Sequence, residues 1–226
     1  MMVDEYLDER EQAEQLKQWF KENWLWLVAG VGLGLGGLYG WQGWNAHLDR
    51  RSQEAGALFS SMLDAFDRND RAAGTDLAGR ISDEYGTTAY ADQTLLVLAR
   101  VHAEAGELGE AAARLRQVME TSEDAELALV ARLRLARVQS AQGEQDAALA
   151  TLRGAQAPSV DPRIAELEGD LLAAKGEVVA AREAYERAIA EASGAAAAGL
   201  VDADYVQLKL DALASGAAPP AAASGS

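Results

Sequence analysis

The sequence predicts an all-α protein: a single N-terminal transmembrane helix followed by an α-solenoid of stacked helical pairs. Three observations predict it. The 26 residues from Asn23 to Leu48 carry no formal charge with His47 neutral, and tryptophans bracket their most apolar part. From Ser52 to Leu213, Ala, Leu and Val recur at spacings of three and four, without strand-like alternation. Within that region one helix–turn–helix pattern repeats along the chain.

Composition narrows the function before any motif is read. The 226 residues contain no cysteine, which excludes a disulfide framework, thiolate zinc sites and a cysteine nucleophile. Two histidines, His47 and His102, make no His-rich metal cluster. Twenty basic against thirty-six acidic side chains give a net charge of −16. So acidic a surface repels phosphate, and no nucleic-acid partner is expected. Carboxylate pairs such as Glu166/Glu168 and Asp202/Asp204 are expected to be solvated, and no residue pattern calls for a cofactor or catalysis.

Residues 1–22 form a short acidic leader with three basic and seven acidic groups. The span follows at 23–45. Its apolar part, WLWLVAGVGLGLGGLYGWQGW, runs from Trp24 to Trp44. As a helix those steps rise ~30 Å, the thickness of a hydrocarbon core. Trp24 and Trp26 mark one interface, and Tyr39, Trp41 and Trp44 the other. Seven glycines would weaken a water-exposed helix, but lipid offers the backbone no competing partner.

Three rival readings fail. GLGLGG (Gly32–Gly37) fits a dinucleotide-binding pattern but lacks the surrounding strand and βαβ unit. A cleaved signal peptide needs a basic leader and small residues where Trp41 and Trp44 stand. A buried hairpin is disfavoured by the length and the glycines. Gly30, Gly32, Gly34, Gly36 and Gly40 set small residues four apart, a candidate ridge for packing against another membrane helix. Three basic residues before the span (Arg10, Lys17, Lys21) against two after it (Arg50, Arg51) lean weakly towards a cytoplasmic N-terminus.

Residues 46–214 form the repeat domain. Breaks are expected at Arg68–Ala73, Tyr85–Thr88, Gly106–Gly109, Thr121–Asp124, Gln142–Gln145, Ala157–Pro162, Gly176–Glu177 and Ser193–Gly199. LARVHAEAGELGEAAARL (Leu98–Leu115) superposes on LARVQSAQGEQDAALATL (Leu135–Leu152), with a weaker copy in EGDLLAAKGEVVAAREAY (Glu168–Tyr185). The turn glycines Gly106, Gly143 and Gly176 lie 37 and 33 residues apart. Ser52–Tyr85 is expected as an atypical leading pair and Leu200–Leu213 as a capping helix. The tail at 215–226, rich in Ala, Pro, Gly and Ser, has no apolar face and is expected to be disordered.

The pattern resembles the tetratricopeptide repeat (TPR) at its small-residue positions. Ala99, Ala136 and Gly169 take the close-contact site of the first helix, and Ala111, Ala148 and Ala181 that of the second. Leu115, Leu152 and Tyr185 take the large apolar site behind them. Departures are His102, Gln139 and Leu172 where aromatics are usual, and Val118 and Ala155 before Ala188 at the next small site. First helices line a solenoid's concave face, so Gln93, Leu96, Arg100, Leu133, Arg137 and Asp170 are the candidate groove for a peptide or partner.

EQAEQLKQWFKENW (Glu11–Trp24), the span ending GWQGWN (Gly40–Asn45), LRLARVQSAQGEQDAALATL (Leu133–Leu152) and LEGDLLAAKGEVVAAREAYERAI (Leu167–Ile189) together resemble the ancillary SecYEG translocon subunit family, the YfgM-like membrane proteins with TPR repeats. The resemblance implies a non-catalytic, single-pass protein of the bacterial inner membrane with its repeat domain in the periplasm. It implies as partners the SecYEG translocon, a membrane-anchored periplasmic chaperone of the PpiD type, soluble periplasmic chaperones or client polypeptides, and membrane lipid. The implied role is to hand newly translocated chains to chaperones, with a further link to an envelope-stress response regulator. An adaptor of another envelope complex, in cell division or outer-membrane assembly, would use the same plan.

Overall fold

A computed structural model describes residues 3–154, 161–194 and 199–215, with side chains from residue 17 onward except at 27. The described residues form helices and no strand: α1 (Val3–Asp67), α2 (Arg71–Tyr85), α3 (Ala89–Glu104), α4 (Leu108–Thr121), α5 (Ala125–Ala141), α6 (Gln145–Arg153), α7 (Pro162–Ala174), α8 (Val178–Ala192) and α9 (Ala203–Ser215). The chain divides into two units, Met1–Glu54 and Ala55–Ser226.

The first unit is helix. No single described helix is long and apolar enough to cross a membrane, but Lys17–Trp26 and Val28–Asp67 satisfy length and composition together, with a 44° bend between them. The expected span at 23–45 lies across this bent pair and not on one helix that meets the requirement alone. The physical reason lies in its residues: glycine and tryptophan dilute the hydropathy of Leu and Val. All five tryptophans stand between 52 and 77% exposed.

In the second unit, helices pack in chain order, and successive first helices also touch, α3 with α5 and α5 with α7. Helical pairs stacked in this order form an α-solenoid. Helix boundaries follow local chemistry. Asp70, Asp124 and Asp161 cap α2, α5 and α7 by accepting backbone N–H groups of the first turn. Asp202, expected as solvated, does the same for α9 through Asp204 and Tyr205, which starts the capping helix at Ala203 rather than Leu200.

The three repeat turns are built alike. Gly106, Gly143 and Gly176 have φ of +76°, +83° and +79°, a region where a Cβ is strained. In each turn the next residue's N–H returns to a carbonyl of the first helix: Glu107 to His102, Glu144 to Gln139, and Glu177 to Leu172, all at 2.9 Å. Those carbonyls belong to the three positions where the family usually places aromatics. The backbone satisfies the turn there, whatever the side chain.

The expected small and large sites are buried. Ala99, Ala111, Ala136, Ala148, Ala181, Leu115, Leu152 and Tyr185 are at most 3% exposed. Val118 and Ala188 are fully buried at the following site, while Ala155 lies outside the described residues. The third repeat makes a size exchange. Tyr185 replaces leucine, and Gly169 replaces alanine, because a Cβ at Gly169 would stand 2.5 Å from Tyr185 Cδ1 and Cε1.

Gly169→Ala is therefore expected to overpack this layer at a cost of about 1–3 kcal/mol, offset by about 1 kcal/mol of helix propensity. Adding Tyr185→Leu restores the pairing of the first two repeats. Chemical denaturation of both single variants and the double should show a favourable coupling of about 1–2 kcal/mol. Strict additivity would mean that the ring slides aside instead.

Ion pairs tie neighbouring pairs of helices. Arg163, beside the α7 cap, donates to Asp161 Oδ2 (2.7 Å) and to Glu126 Oε1 at the start of α5 (2.6 Å). Burial works to raise the Asp161 carboxyl, but Arg163's hydrogen bonds and charge outweigh it and hold the group below its usual range. Its contribution is present above the unfolded pKa and lost as pH falls through the lower folded one. Asp161→Ala should cost about 1–2 kcal/mol at neutral pH, a gap that urea titrations should see shrink below about pH 4. An equal gap at both pH values would mean that the charge is irrelevant.

Candidate functional site

The first helices α3, α5 and α7 carry the candidate groove, and packing sorts its residues sharply. Leu96 (7% exposed) sits in a core of α3, α4 and α5 with Ala99, Leu115 and Val118. Leu133 (4% exposed) sits in the next core with Leu152 and Leu167. Both leucines hold their helices in place. Neither is offered to a partner. Gln93 is half-buried on α3.

Arg100 and Arg137 are exposed on α3 and α5 and lie close enough for their charges to act on a third guanidinium, Arg134. Burial, then Arg137, then Arg100 push the Arg134 pKa below its ordinary value. The structure thus assembles three arginines on adjacent first helices. Arg134 does not stand out when the repeats are compared, because it aligns with Val97 in one copy and Leu167 in the other. Its spacing of three from Arg137, one face of a helix, is the signal that could have found it.

Asp170 takes the equivalent position in the third repeat but is engaged elsewhere. Lys209 of α9 donates to both its oxygens, at 2.7 and 2.8 Å, and to Glu166 Oε1 at 2.8 Å. The Tyr185 hydroxyl donates to Asp170 Oδ1 (2.8 Å). The lysine side chain is 3% exposed and lies 5.0 Å from the Tyr205 ring centroid. Burial alone would lower its pKa, but the hydrogen bonds of Asp170 and Glu166 outweigh that and hold it above the ordinary value. The Tyr185 hydroxyl is pushed well up, by burial and then by Asp170. Glu166 and Glu168, expected as a solvated pair, instead hold Lys209 and Arg187 respectively.

Elsewhere, His102 meets Glu107 (Nδ1 to Oε2, 2.6 Å), and Arg71 reaches both. Arg71 and then His102 hold the Glu107 carboxyl low. A cleft of about 450 Å³ opens between α2, α3 and α4 and includes Asp83, Asp92 and Arg114, whose Nε is buried without a hydrogen-bond partner. No group of three His, Asp or Glu side chains suited to a metal occurs among the described residues. Along α1, no neighbouring atom lies within 4 Å of a Cβ built at Gly30, Gly32, Gly34, Gly36 or Gly40, outside the helix's own backbone.

A family model described as a tetratricopeptide repeat-like domain matches residues 17–215. A protein of Escherichia coli (strain K12) named ancillary SecYEG translocon subunit is 34% identical over 187 residues, covering 81% of this chain and 88% of that one. Its namesake in Haemophilus influenzae is 32% identical over 182 residues, covering 80% and 89%. Another, from Aggregatibacter actinomycetemcomitans, is 27% identical and covers 91% and 97%.

Proposed function

The chain belongs to the ancillary SecYEG translocon subunit family, and from that premise we propose that it is a non-catalytic, membrane-anchored TPR scaffold at the SecYEG translocon of the bacterial inner membrane. In this reading residues 1–22 are a cytoplasmic leader, 23–45 cross the bilayer, 46–214 form a periplasmic repeat domain, and 215–226 are a tail. The domain receives newly translocated polypeptides beside a PpiD-type chaperone and passes them to soluble periplasmic chaperones. The leader modulates an envelope-stress response regulator.

The observation that carries the anchor is the bare apolar surface of α1. From Trp19 to Leu48, large side chains including Trp26 (77% exposed), Leu33 (78%) and Tyr39 (69%) touch little protein. Soluble monomers rarely tolerate so long an apolar surface. Aromatic residues cluster at its two ends, as interfacial belts do. The helical pairs support binding rather than turnover, because a solenoid offers extended surfaces.

Photo-crosslinking in intact membranes tests the whole reading. Photoreactive residues at Gly34 and Gln93 should yield adducts with translocon subunits from the first position and with periplasmic chaperones or clients from the second. Adducts confined to a division or outer-membrane assembly machine would replace this reading with that of an adaptor for another envelope complex.

A further inference from the structure

We propose that the face formed by Arg100, Arg134 and Arg137 docks an acidic polypeptide segment, whose carboxylates the three guanidinium groups hold. The inference rests on the scaffold reading and names the chemistry of the partner.

Charge matching within the chain points to this face. Acidic side chains outnumber basic ones by thirty-six to twenty, so a cation here has many carboxylates to choose from. Arg71, Arg163, Lys175, Arg187 and Lys209 all take them, in pairs no longer than 2.8 Å. The trio does not. Arg100 has only a long contact of 3.9 Å to Glu104, both ends more than half exposed. Among the described residues, Arg134 and Arg137 have no hydrogen bond or ion pair. Arg134 instead feels the like charges beside it, after the larger effect of burial. Three cations held together on an acidic protein form a local attractor for anions.

Geometry adds the rest. The trio stands on two helices whose inward faces are fixed by Leu96, Ala99, Leu135 and Ala136, so the guanidinium groups project from a packed base. Their planar forks suit carboxylate oxygens. The neighbouring Asp170 would repel an acidic segment were it bare, but Lys209 binds both its oxygens and offsets part of its charge. A run of two or three Asp or Glu side chains therefore finds cations on α3 and α5, while at α7 Asp170 and Glu166 share one lysine and keep a single net negative charge that turns the run toward the arginines.

The test uses the full-length protein in detergent micelles and a fluorescent eight-residue peptide rich in Glu and Asp, read by anisotropy. A Gln/Asn peptide of equal length is the neutral control. The acidic peptide should bind, the neutral one should not, and affinity should fall with added salt. Arg100→Gln, Arg134→Gln and Arg137→Gln should each weaken binding about threefold, and the triple variant at least tenfold. Arg116→Gln, an exposed arginine on α4, should leave it unchanged. Equal loss in Arg116→Gln, equal binding of the neutral peptide, or full binding by a folded triple variant would overturn the proposal. So would capture of phosphatidylglycerol vesicles by the trio without peptide binding, since the ligand would then be lipid. Circular dichroism of the triple variant guards against misfolding. If wild-type protein fails to crosslink to the translocon yet binds the peptide, the scaffold reading falls and this inference stands. Translocon adducts without peptide binding would remove the inference and leave the scaffold in place.

Discussion

Replacing Lys209 with alanine is expected to destabilise the repeat domain by about 2–4 kcal/mol, because it strands two carboxylates in a half-buried site. The lysine is 3% exposed, while Asp170 and Glu166 are 33 and 19% exposed, which places the expected loss below that of a fully buried pair. Asp170 would keep the Tyr185 hydroxyl as its hydrogen-bond donor, but Glu166 would lose the hydrogen bond from the lysine. Thermal unfolding followed by circular dichroism reads the loss. The pH dependence carries its own sign. Since the folded pKa of Lys209 is raised, its stabilisation is complete below the unfolded lysine value near ~10.4 and disappears as pH climbs through the higher folded one. The gap between wild type and variant should thus be constant from neutrality to mild alkali. A gap that closes near pH 7 would show that another group supplies the stability.

Leu33→Arg carries the second large effect. Leu33 is 78% exposed in the middle of the apolar stretch, and a charge at the centre of a spanning helix costs about 2.5–3.5 kcal/mol on insertion scales. That corresponds to roughly a hundredfold shift against the inserted form. Leu208→Arg is the matched control: this leucine, on α9, is also exposed, at 54%, and borders no bilayer in the proposed reading. Carbonate extraction of vesicles should release a substantial fraction of Leu33→Arg and none of Leu208→Arg. Identical behaviour of the two would remove the span.

The helix boundaries were legible in the sequence because punctuation there is local. Glycine at 106, 143 and 176 dictates a left-handed turn, whereas the aspartate caps at 124, 161 and 202 emerge only from the structure. The small and large sites of the repeats were legible for a similar reason, since backbones that cross closely need alanine or glycine at fixed spacing. The candidate groove was only partly legible. Leucines such as Leu96 and Leu133 suit core and surface alike on residue identity alone, and only packing assigns both to the core. Asp170 has the register of a groove residue, yet a lysine 39 positions away closes on it. Arg134 has no counterpart in the neighbouring repeats. Contacts between distant helices are not written in local periodicity.

Stacking in series also governs how this domain answers force. The three repeat pairs α3/α4, α5/α6 and α7/α8 are each locked by their own glycine turn and touch chiefly the layers on either side. Tension along the chain is then met by one layer at a time. Peeling a 33- or 37-residue layer away would release roughly 110–130 Å of extended polypeptide, so a pulled domain would lengthen by graded steps while the remaining layers keep their shape.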